Sequence, residues 1–420
     1  MKKLLLINDF EKGGGAEQVF LQTQELLSDK FIIKTFVGSD KHRKPDNILS
    51  YIYSVKNQTS SFSRIYSIKN YKRLLDVLLN FKPDIVHLHN YYSFLSPSIL
   101  NAVRTYRKLG NRLRVIFTAH DYHLLCPYSS FMHYSMVSNK ILRLDDLPDV
   151  FQIFFYKWDE RGFPFSFVKK LQWIYAYMLN GFDREINYII TPSEFLANLF
   201  RKKYGYILVS TIRNPFLNMD LVNAVKPSSK SKNDKILKMV FMGRLSPEKG
   251  LVEFIEAIKD INSFSFVFKI IGEGPQKNVI QKEIEKYGLQ DKIILTGKME
   301  HQLLLKEIRC NDALVLPSIW YENAPLSLVE GAFMNLRLIT AGYGGMKEIA
   351  ELCGGAYLMN PQDTNSVKDA LMSCYADTVS GAPLKDRNIE RLRSVFSAKS
   401  YINKLIDVYN YNYYGVKWMV

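Results

Sequence analysis

The sequence predicts an α/β protein with two domains, each built on a doubly wound parallel β-sheet. Three observations lead to this fold class. The chain has 420 residues, more than one hydrophobic core usually takes and suited to two domains. Short apolar runs alternate with amphipathic segments of helical length, which is typical of βαβ units. A polar, Lys- and Ser-rich stretch at 221–237 interrupts this alternation, which then starts again.

The first domain is expected to span residues 1–220. Its strand-like apolar runs are KLLLIND, PDIVHLHN, RVIFTAHD and YIITPS. Amphipathic helices are predicted between them, for example AEQVFLQTQELL, ILNAVRTYRKLG and EFLANLFRKKYG. The opening MKKLLLIND is like a signal peptide for only four apolar residues before Asn8 and Asp9 interrupt it, so we interpret it as the first strand.

The second domain is expected to span residues 238–395, after a linker at 221–237. The alternation resumes with LKMVFMGRL, FVFKIIGEGP, DKIILTG, DALVLPS and LRLITAGYGG, with a helix predicted after each of the first three strands. The last segment, 396–420, is predicted to be a helix with an aromatic tail. Because it is too apolar for a free tail, we expect it to pack back on the N-terminal domain.

Composition and charge narrow the function classes. No run of 18 apolar residues is present to form a membrane-spanning helix. The four cysteines are scattered without metal-ligand spacing, which is typical of a reducing cytoplasm. The net charge of +15 lies mostly in the first half, where residues 1–220 carry 30 basic and 19 acidic side chains. An anionic membrane surface or a phosphorylated acceptor fits this excess, whereas no nucleic-acid module is recognisable.

Ligands of open α/β sheets bind beyond the carboxyl ends of the strands, and unusual residues follow the strands of the second domain. In GRLSPEKG, Arg244 has a planar guanidinium that can donate two parallel hydrogen bonds, and Lys249 has a compact charge. Together they suit a diphosphate. The alternative is that both are solvated charges in a loop. Glycines end three of the strands, and each could form either a bare turn or part of a nucleotide pocket. They are Gly243, Gly272 with Gly274, and Gly297 before Lys298.

Two glutamates eight positions apart bracket a predicted helix start. Asn323-Ala324-Pro325 looks like a helix N-terminus, because proline is favoured at the first helical position. Glu322 should then lie on the loop that enters the helix, and Glu330 two turns along it. Free amides at the start of the helix would form an anion site. Carboxylates around an anion site indicate a ligand that carries both hydroxyls and phosphates.

The first domain offers weaker candidates. Gly14 and Gly15 follow the first strand and would let backbone amides approach a phosphate or sugar, with a plain tight turn as the alternative. His120 ends another strand and could donate a hydrogen bond to a substrate oxygen, or could be a satisfied core histidine. His87 and His89 are interpreted as packing residues. We expect no metal, because no third ligand has suitable spacing.

In this order, the motifs resemble those of the retaining nucleotide-sugar glycosyltransferases with the two-domain GT-B architecture. The motifs that carry the resemblance are YENAPLSLVEGAF with its Glu-x7-Glu spacing, GRLSPEKG, IGEGP, LTGKM, GGGAE, TAHD and TPSEF. They extend over nearly the whole chain. The resemblance implies two Rossmann-like domains facing across a cleft. It also implies metal-independent transfer of a hexose-type sugar from a nucleotide-diphosphate sugar to a glycan or lipid-linked glycan.

The resemblance also implies roles for single residues. Arg244 and Lys249 would hold the donor diphosphate, Glu322 the transferred sugar, and His120 the same sugar from the other domain. Glu330 would bind the ribose, and Gly14 and Gly15 would line the acceptor and phosphate side. The remaining donor-binding residues implied are Gly243, Gly272, Gly274, Gly297, Lys298, Asn323, Ala324 and Leu326.

One stretch of the first domain has an unusual composition. Residues 149–182, DVFQIFFYKWDERGFPFSFVKKLQWIYAYMLNGF, combine many aromatic side chains with lysines and arginines. Ordinary helical core is one interpretation. The other is a surface that contacts a membrane or a lipid-linked acceptor. On that basis we predict a cytoplasmic enzyme of bacterial surface polysaccharide synthesis, located at the inner face of the membrane.

Three other functions are compatible with parts of the pattern. A GT-B nucleotide-sugar epimerase shares the architecture, but the Glu-x7-Glu motif is not characteristic of such epimerases. A glycoside hydrolase could use the two glutamates as its acid–base pair, although the phosphate-type loops argue against it. A non-catalytic sugar-nucleotide scaffold would not need Arg244, Lys249, Glu322 and Glu330 together.

Overall fold

The chain folds into two compact units, described here from a computed structural model of residues 1–11, 13–39, 50–54, 61–138, 140–217, 235–384 and 386–411. Unit 1 comprises Met1–Pro215 and the C-terminal segment from Ala398, and unit 2 comprises Phe216–Ser397. The division falls a few residues before the boundary expected at residue 220. Most of the predicted linker, residues 221–234, lies outside the described residues.

Unit 1 is built on a seven-stranded sheet in the order β3-β2-β1-β4-β5-β8-β9. All neighbouring strands are parallel, and the order reverses between β1 and β4. The strand bounds are β1 Lys3–Phe10, β2 Ile32–Ser39, β3 Ser50–Ser54, β4 Ile85–Leu88, β5 Arg114–Thr118, β8 Tyr188–Thr191 and β9 Leu208–Thr211. Buried apolar runs such as Leu4 to Ile7 form the core of the sheet, as expected for strands covered on both faces.

Helices cover this sheet, and a long insertion separates β5 from β8. The covering helices are α1 Gly15–Leu27, α2 Ser61–Ile65, α3 Ile68–Phe81, α4 Ser98–Lys108 and α7 Glu194–Lys203. The insertion contains the antiparallel hairpin β6 Met132–Tyr134 and β7 Ile141–Arg143, then α5 Val150–Phe155, α6 Phe163–Trp173, a π-helical turn Ile174–Leu179 and a 3-10 turn Phe182–Glu185.

Unit 2 is a second doubly wound parallel sheet, in the order β12-β11-β10-β13-β14-β15. Its strands are β10 Ile236–Met242, β11 Ser265–Ile271, β12 Ile293–Gly297, β13 Ala313–Leu316, β14 Arg337–Ala341 and β15 Tyr357–Met359. Its helices are α8 Leu251–Ile258, α9 Lys277–Lys286, α10 His301–Arg309, α11 Leu326–Phe333, α12 Gly344–Leu352, α13 Thr364–Val379 and α14 Ile389–Phe396. The order reverses between β10 and β13, which makes this edge the position where such sheets bind ligands.

The last helix, α15 Ala398–Asn410, packs on unit 1, as the sequence predicts. The hydroxyl of Tyr401 lies 2.7 Å from that of Thr23, and the hydroxyl of Tyr409 lies 2.7 Å from Nδ1 of His87. Tyr401, Leu405 and Tyr409 are buried in the core of unit 1. The aromatic tail beyond it, residues 412–420, lies outside the described residues.

The aromatic stretch 149–182 contributes to both core and surface. Ile153, Trp158 and Trp173 are buried. Phenylalanines on the outer faces of α5 and α6 are at least 44% exposed: Phe151, Phe154, Phe155, Phe163, Phe165 and Phe167. The stretch is therefore partly helical core and partly exposed surface. Among the residues that the structure describes, no helix is long and apolar enough to cross a bilayer.

Candidate functional site

The glycines that follow β10, β11 and β12 let three loops pack backbone to backbone. The amide of Gly243 donates to the carbonyl of Ile271 at 3.1 Å, and the amide of Gly272 donates to the carbonyl of Gly297 at 3.0 Å. A Cβ atom on Gly272 would lie 1.8 Å from the carbonyl oxygen of Gly243, and one on Gly274 would lie 2.2 Å from that of Leu245. These glycines therefore fix the position of the loop that carries Arg244.

Arg244 lies at the carboxyl end of β10 with its side chain exposed. Among the described residues it has no recorded hydrogen bond or ion pair. Lys298, at the end of β12, is likewise exposed. A guanidinium on a fixed backbone, without an internal carboxylate partner, is suited to binding an external phosphate.

Lys249 and Glu322 form a direct ion pair between the loops that follow β10 and β13. The Lys249 Nζ lies 2.5 Å from Oε1 of Glu322, and the Ser318 hydroxyl donates to the same oxygen at 2.8 Å. Both charged side chains are largely buried. Burial raises the pKa of Glu322, but the Lys249 charge and these hydrogen bonds outweigh it, so the pKa lies below its ordinary value. Glu322 is therefore a carboxylate at neutral pH, and its charge orients Lys249.

Close packing brings these two loops together. The short turn Pro247–Lys249 ends at Gly250, whose φ of +67° favours glycine. A Cβ atom on Gly250 would lie 2.2 Å from the carbonyl oxygen of Pro317, and the amide of Ile319 donates to the carbonyl of Glu248 at 3.0 Å. The β10–β13 pairing thus places residues 73 positions apart in contact.

The helix after Glu322 starts one residue later than the sequence predicts. Pro325 is the residue before the helix, with extended backbone, and the first helical residue is Leu326. The prediction that proline occupies the first helical position is wrong by one residue, because Pro325 has extended backbone with ψ of 108°. Only its carbonyl joins the helix, by accepting the amide of Leu328. Glu330 is consequently in the second turn of α11, nearer the helix start than expected.

The start of α12 supports the loop that carries Glu322 and Asn323. The amide of Gly345 donates to the carbonyl of Glu322 at 2.9 Å. The hydroxyl of Tyr343 donates to the carbonyl of Ser318 at 2.8 Å. The glycines of LRLITAGYGG therefore position Glu322. The sequence analysis includes them only in the predicted strand LRLITAGYGG, and no motif singles out Ser318.

Substituting Gly345 with alanine is expected to destabilise unit 2 and displace Glu322. The added Cβ would lie 1.8 Å from the carbonyl oxygen of Asn323, and that oxygen belongs to backbone that cannot rotate away. We expect a loss of about 2 kcal/mol or more in the free energy of unfolding. Urea unfolding measures it. Gly205→Ala is the control because nothing lies within 4 Å of its added Cβ, and equal stabilities of the two variants would contradict the packing described here.

In unit 1, His120 is part of a cluster of three histidines. Its Nε2 lies 2.8 Å from Nδ1 of His89, and their rings stack at 5.1 Å. Nε2 of His87 lies 2.7 Å from the Thr118 hydroxyl. Burial lowers the pKa of His87 to about 3 and that of His120 to about 4, and it holds the pKa of His89 well below its ordinary value. All three are therefore neutral near pH 7, and His89 fixes the ring of His120.

This cluster should make the protein less stable in mild acid. The folded pKa values lie below the ordinary 6.5, so the unfolded chain binds more protons as the pH falls below about 6.5. We expect urea unfolding to show a free energy lower at pH 5.5 than at pH 7.5 by about 1 kcal/mol for each histidine. His120→Asn should show a smaller difference. A stability that does not change between these pH values would contradict the neutral cluster.

The other candidates in unit 1, Gly14 and Gly15, form the start of helix α1. The Gly14 amide donates to the Glu17 carboxylate at 2.7 Å, and α1 begins at Gly15.

Asp9, which the sequence treats only as a strand break, is buried and accepts hydrogen bonds from the amides of residues 93–95. Burial raises its pKa to about 6. In the described part of the chain, no three His, Cys, Asp or Glu side chains come together as a metal site.

The predicted site residues thus divide between the two units. Unit 2 brings together Lys249 and Glu322 and places the glycine loops, Arg244 and the start of α11 at one edge of its sheet. Unit 1 places His120, Gly14 and Gly15 at strand ends of its own sheet. Cations and a helix start at the switch point of a parallel sheet form an arrangement that is suited to a phosphate-containing ligand.

Solved structures place the two units in one fold class. Sucrose-phosphate synthase from Thermosynechococcus elongatus matches with a TM-score of 0.68 and 16% identity, over 97% of this chain and 98% of that one. Anabaena HepE, solved in complex with UDP and glucose, matches with a TM-score of 0.65 and 16% identity, over 97% and 99% of the chains. The chain therefore has the GT-B architecture that the sequence predicts.

The family follows from two further matches. The model of Glycosyltransferase Family 4 matches residues 13–216, and that of Glycosyl transferases group 1 matches residues 223–393. The chain belongs to the group 1 glycosyltransferases. It is a transferase by family, as its sequence motifs predict.

The curated relatives are 24–27% identical to this chain over the matched segments. The α-D-kanosaminyltransferase of Streptomyces kanamyceticus is 27% identical over 163 residues, which are 38% of this chain and 41% of the relative. An uncharacterised 42.6 kDa protein in the cps region of Klebsiella pneumoniae is 24% identical over 72% of this chain and 69% of the relative. WcaL of Escherichia coli, a putative colanic acid biosynthesis glycosyltransferase, is 24% identical over 38% of this chain and 42% of its own. The matched segments thus cover about two fifths of the first and third of these proteins.

Proposed function

We propose that this protein is a retaining glycosyltransferase that transfers a hexose-type sugar from a nucleotide-diphosphate sugar to a glycan or lipid-linked glycan. The observation that carries the proposal is the buried Lys249–Glu322 pair at the β10–β13 switch point, with the exposed Arg244 on the same loop as Lys249. A cation held by a carboxylate, beside a second cation and a helix start, is suited to a ligand that combines a diphosphate with sugar hydroxyls.

The charges match the chemistry of donor cleavage. Breaking the bond between sugar and phosphate leaves positive charge on the sugar and negative charge on the diphosphate. Preorganised cations stabilise the latter without reorganisation during the reaction. In this proposal Arg244 and Lys249 bind the diphosphate, and the amides of Asn323, Ala324 and Leu326 donate to its oxygens, since Pro325 has no N–H. Because these groups supply the positive charge, we expect activity without a metal.

The carboxylates would bind hydroxyls. Lys249 and Ser318 both contact Oε1 of Glu322, so we propose that Oε2 accepts hydrogen bonds from the transferred sugar near its anomeric carbon. Glu330, on the second turn of α11, would accept bonds from the ribose. His120 stays a candidate for donating to a sugar hydroxyl, which its neutral state permits.

Donor turnover tests this function. Purified protein is incubated with UDP-, GDP-, ADP- and dTDP-sugars, with and without EDTA, and both the free nucleotide and the sugar product are identified. We expect one donor to release nucleotide equally with EDTA, with the product keeping the anomeric configuration of the donor. An epimerised sugar from donor alone would indicate the isomerase instead, and no turnover with any donor would contradict the proposal.

The pathway assignment rests on the relatives. The Klebsiella protein comes from a cps region and WcaL is a putative colanic acid enzyme, so we propose a role in bacterial surface polysaccharide synthesis. We further propose that α5 and α6 contact the cytoplasmic face of the membrane. Six phenylalanines exposed on these short helices beside lysines and arginines form the kind of surface that enters a lipid interface.

Vesicle binding tests the membrane contact. The variant Phe151→Ser/Phe154→Ser/Phe155→Ser should lose most of its binding to anionic vesicles at low salt. The control Leu303→Ser/Met372→Ser/Val379→Ser removes three exposed apolar side chains from unit 2 and should bind as the wild type does. Binding that is equal for both variants, or absent for the wild type, would exclude this membrane surface.

A further inference from the structure

Unit 1 contains a pocket of about 350 Å³ that none of the site motifs explains. It lies between α2, the loops after β4 and β5, and α6 of the insertion. Its charged lining consists of Arg64, Arg161 and Lys169, and its aromatic lining of Tyr92, Tyr128 and Phe165. Among the residues that the structure describes, no carboxylate lines it. Such a lining favours an anionic ligand that also has a flat or apolar part.

Two of the cations are held in fixed positions by one buried carboxylate. The guanidinium of Arg161 binds Asp159 through two bonds, of 2.8 and 2.9 Å, and the Lys169 Nζ lies 3.0 Å from the same carboxylate. Arg161 also lies over the ring of Phe165 at 4.1 Å, and Lys169 over that of Tyr128 at 4.0 Å. Because these contacts fix both side chains, binding an anion would cost little conformational entropy.

The third cation gives the pocket an excess of positive charge. Arg64 is exposed, and within the described ranges its side chain has no recorded hydrogen bond or ion pair. Its backbone carbonyl accepts the Gln172 side-chain amide, which also donates to the carbonyl of Tyr92, so α2 is joined to the pocket wall. Against these three cations stand the buried Asp159 and also Glu160, whose charge acts on Arg161 and Lys169, so positive charge remains that an anion would neutralise. Burial lowers the pKa of Lys169, and a bound anion would offset that cost.

One of the exposed phenylalanines belongs to the pocket. Phe165 of α6 lines it and is 44% exposed. A ligand whose anionic group enters the pocket could therefore place an apolar chain over this ring. Among biological anions, phosphate and diphosphate esters fit a set of arginine and lysine side chains.

We infer that this pocket binds the phosphate or diphosphate group of the acceptor, an inference that rests on the proposed glycosyltransferase function. The shared chemistry is a phosphate ester. It can come from a lipid diphosphate that carries a sugar or from a soluble sugar phosphate.

Binding of two probes to the full chain tests the inference. Inorganic pyrophosphate and farnesyl diphosphate are titrated by calorimetry into wild type, Arg64→Gln and the matched control Arg112→Gln, which replaces an exposed arginine before β5. We expect Arg64→Gln to weaken both probes about tenfold and the control to leave them unchanged. Tighter binding of farnesyl diphosphate than of pyrophosphate identifies a lipid source; equal binding identifies a soluble one.

Two further variants separate this pocket from the donor site. Lys169→Met should also weaken both probes, and its melting temperature reports whether loss of the Asp159 contact unfolds the insertion. Arg244→Ala should weaken nucleoside diphosphates, whose affinity Arg64→Gln should leave unchanged, so the proposed function is tested separately. Probe binding that is absent, or that falls with Arg244→Ala and not with Arg64→Gln, overturns the inference.

Discussion

Replacing Glu322 with glutamine should lower kcat by at least about 100-fold. Glutamine keeps the size of the side chain and a carbonyl oxygen for Ser318. It removes the charge that binds Lys249 at 2.5 Å and that would accept hydrogen bonds from the sugar as positive charge develops on it. Because these interactions matter most in the transition state, kcat should fall more than KM rises.

Steady-state kinetics with the donor that the turnover assay identifies measures this effect. Glu256→Gln, which neutralises an exposed carboxylate on α8, is the matched control and should retain the wild-type rate. A Glu322→Gln variant that keeps more than about a tenth of the wild-type kcat would show that the carboxylate is structural only.

Replacing Lys249 with methionine should remove activity and stability together. The Glu322 carboxylate would stay largely buried without its cation, and breaking a buried pair from one side costs about 3–5 kcal/mol. In the double variant Lys249→Met/Glu322→Gln no buried charge remains, so most of the stability should return while the activity stays lost. Urea unfolding and nucleotide release measure the two effects separately.

The pH dependence of the free energy of unfolding tests the Lys249–Glu322 pair independently. The folded pKa of Glu322 is lowered, so the pair stabilises the protein above the ordinary glutamate pKa of 4.5, and this contribution is lost as the pH falls through the folded value. The double variant should lack this part of the acid dependence. A double variant as unstable as Lys249→Met alone would contradict the account of the pair.

The apolar runs predict β1, β4, β5 and β8 of unit 1 and β10 to β14 of unit 2, because strands covered on two faces are almost wholly apolar. They miss β2 and β3, and also the edge strands β9 and β15, which are partly exposed. They could not show that Lys249 meets Glu322. That contact depends on β10 lying beside β13 rather than beside β12, and strand order is set by helix packing that no local pattern records. The order of the motifs, through the family resemblance, selected both residues without showing that they are paired.

Other features depend on close approach in three dimensions. Gly272 and Gly345 have no room for a Cβ atom, because a backbone carbonyl oxygen faces each of them. The sequence does not show where these carbonyls lie. The basic pocket of unit 1 draws its cations from α2 and from the long insertion, about 100 residues apart in the chain, and the sequence identified only the aromatic composition of the latter. The start of α11 differs from the predicted one by one residue, which is within the usual uncertainty of helix boundaries.

Binding of free nucleotide to the edge of unit 2 tests the central claim most directly. UDP, GDP, ADP and dTDP are titrated by calorimetry into wild type, Arg244→Ala and the control Arg391→Ala, which removes an exposed arginine from α14. One nucleotide should bind in a 1:1 ratio, about tenfold or more weaker in Arg244→Ala and unchanged in the control. Failure of all four nucleotides to bind, or equal affinity in wild type and Arg244→Ala, would contradict the donor site proposed for this sheet.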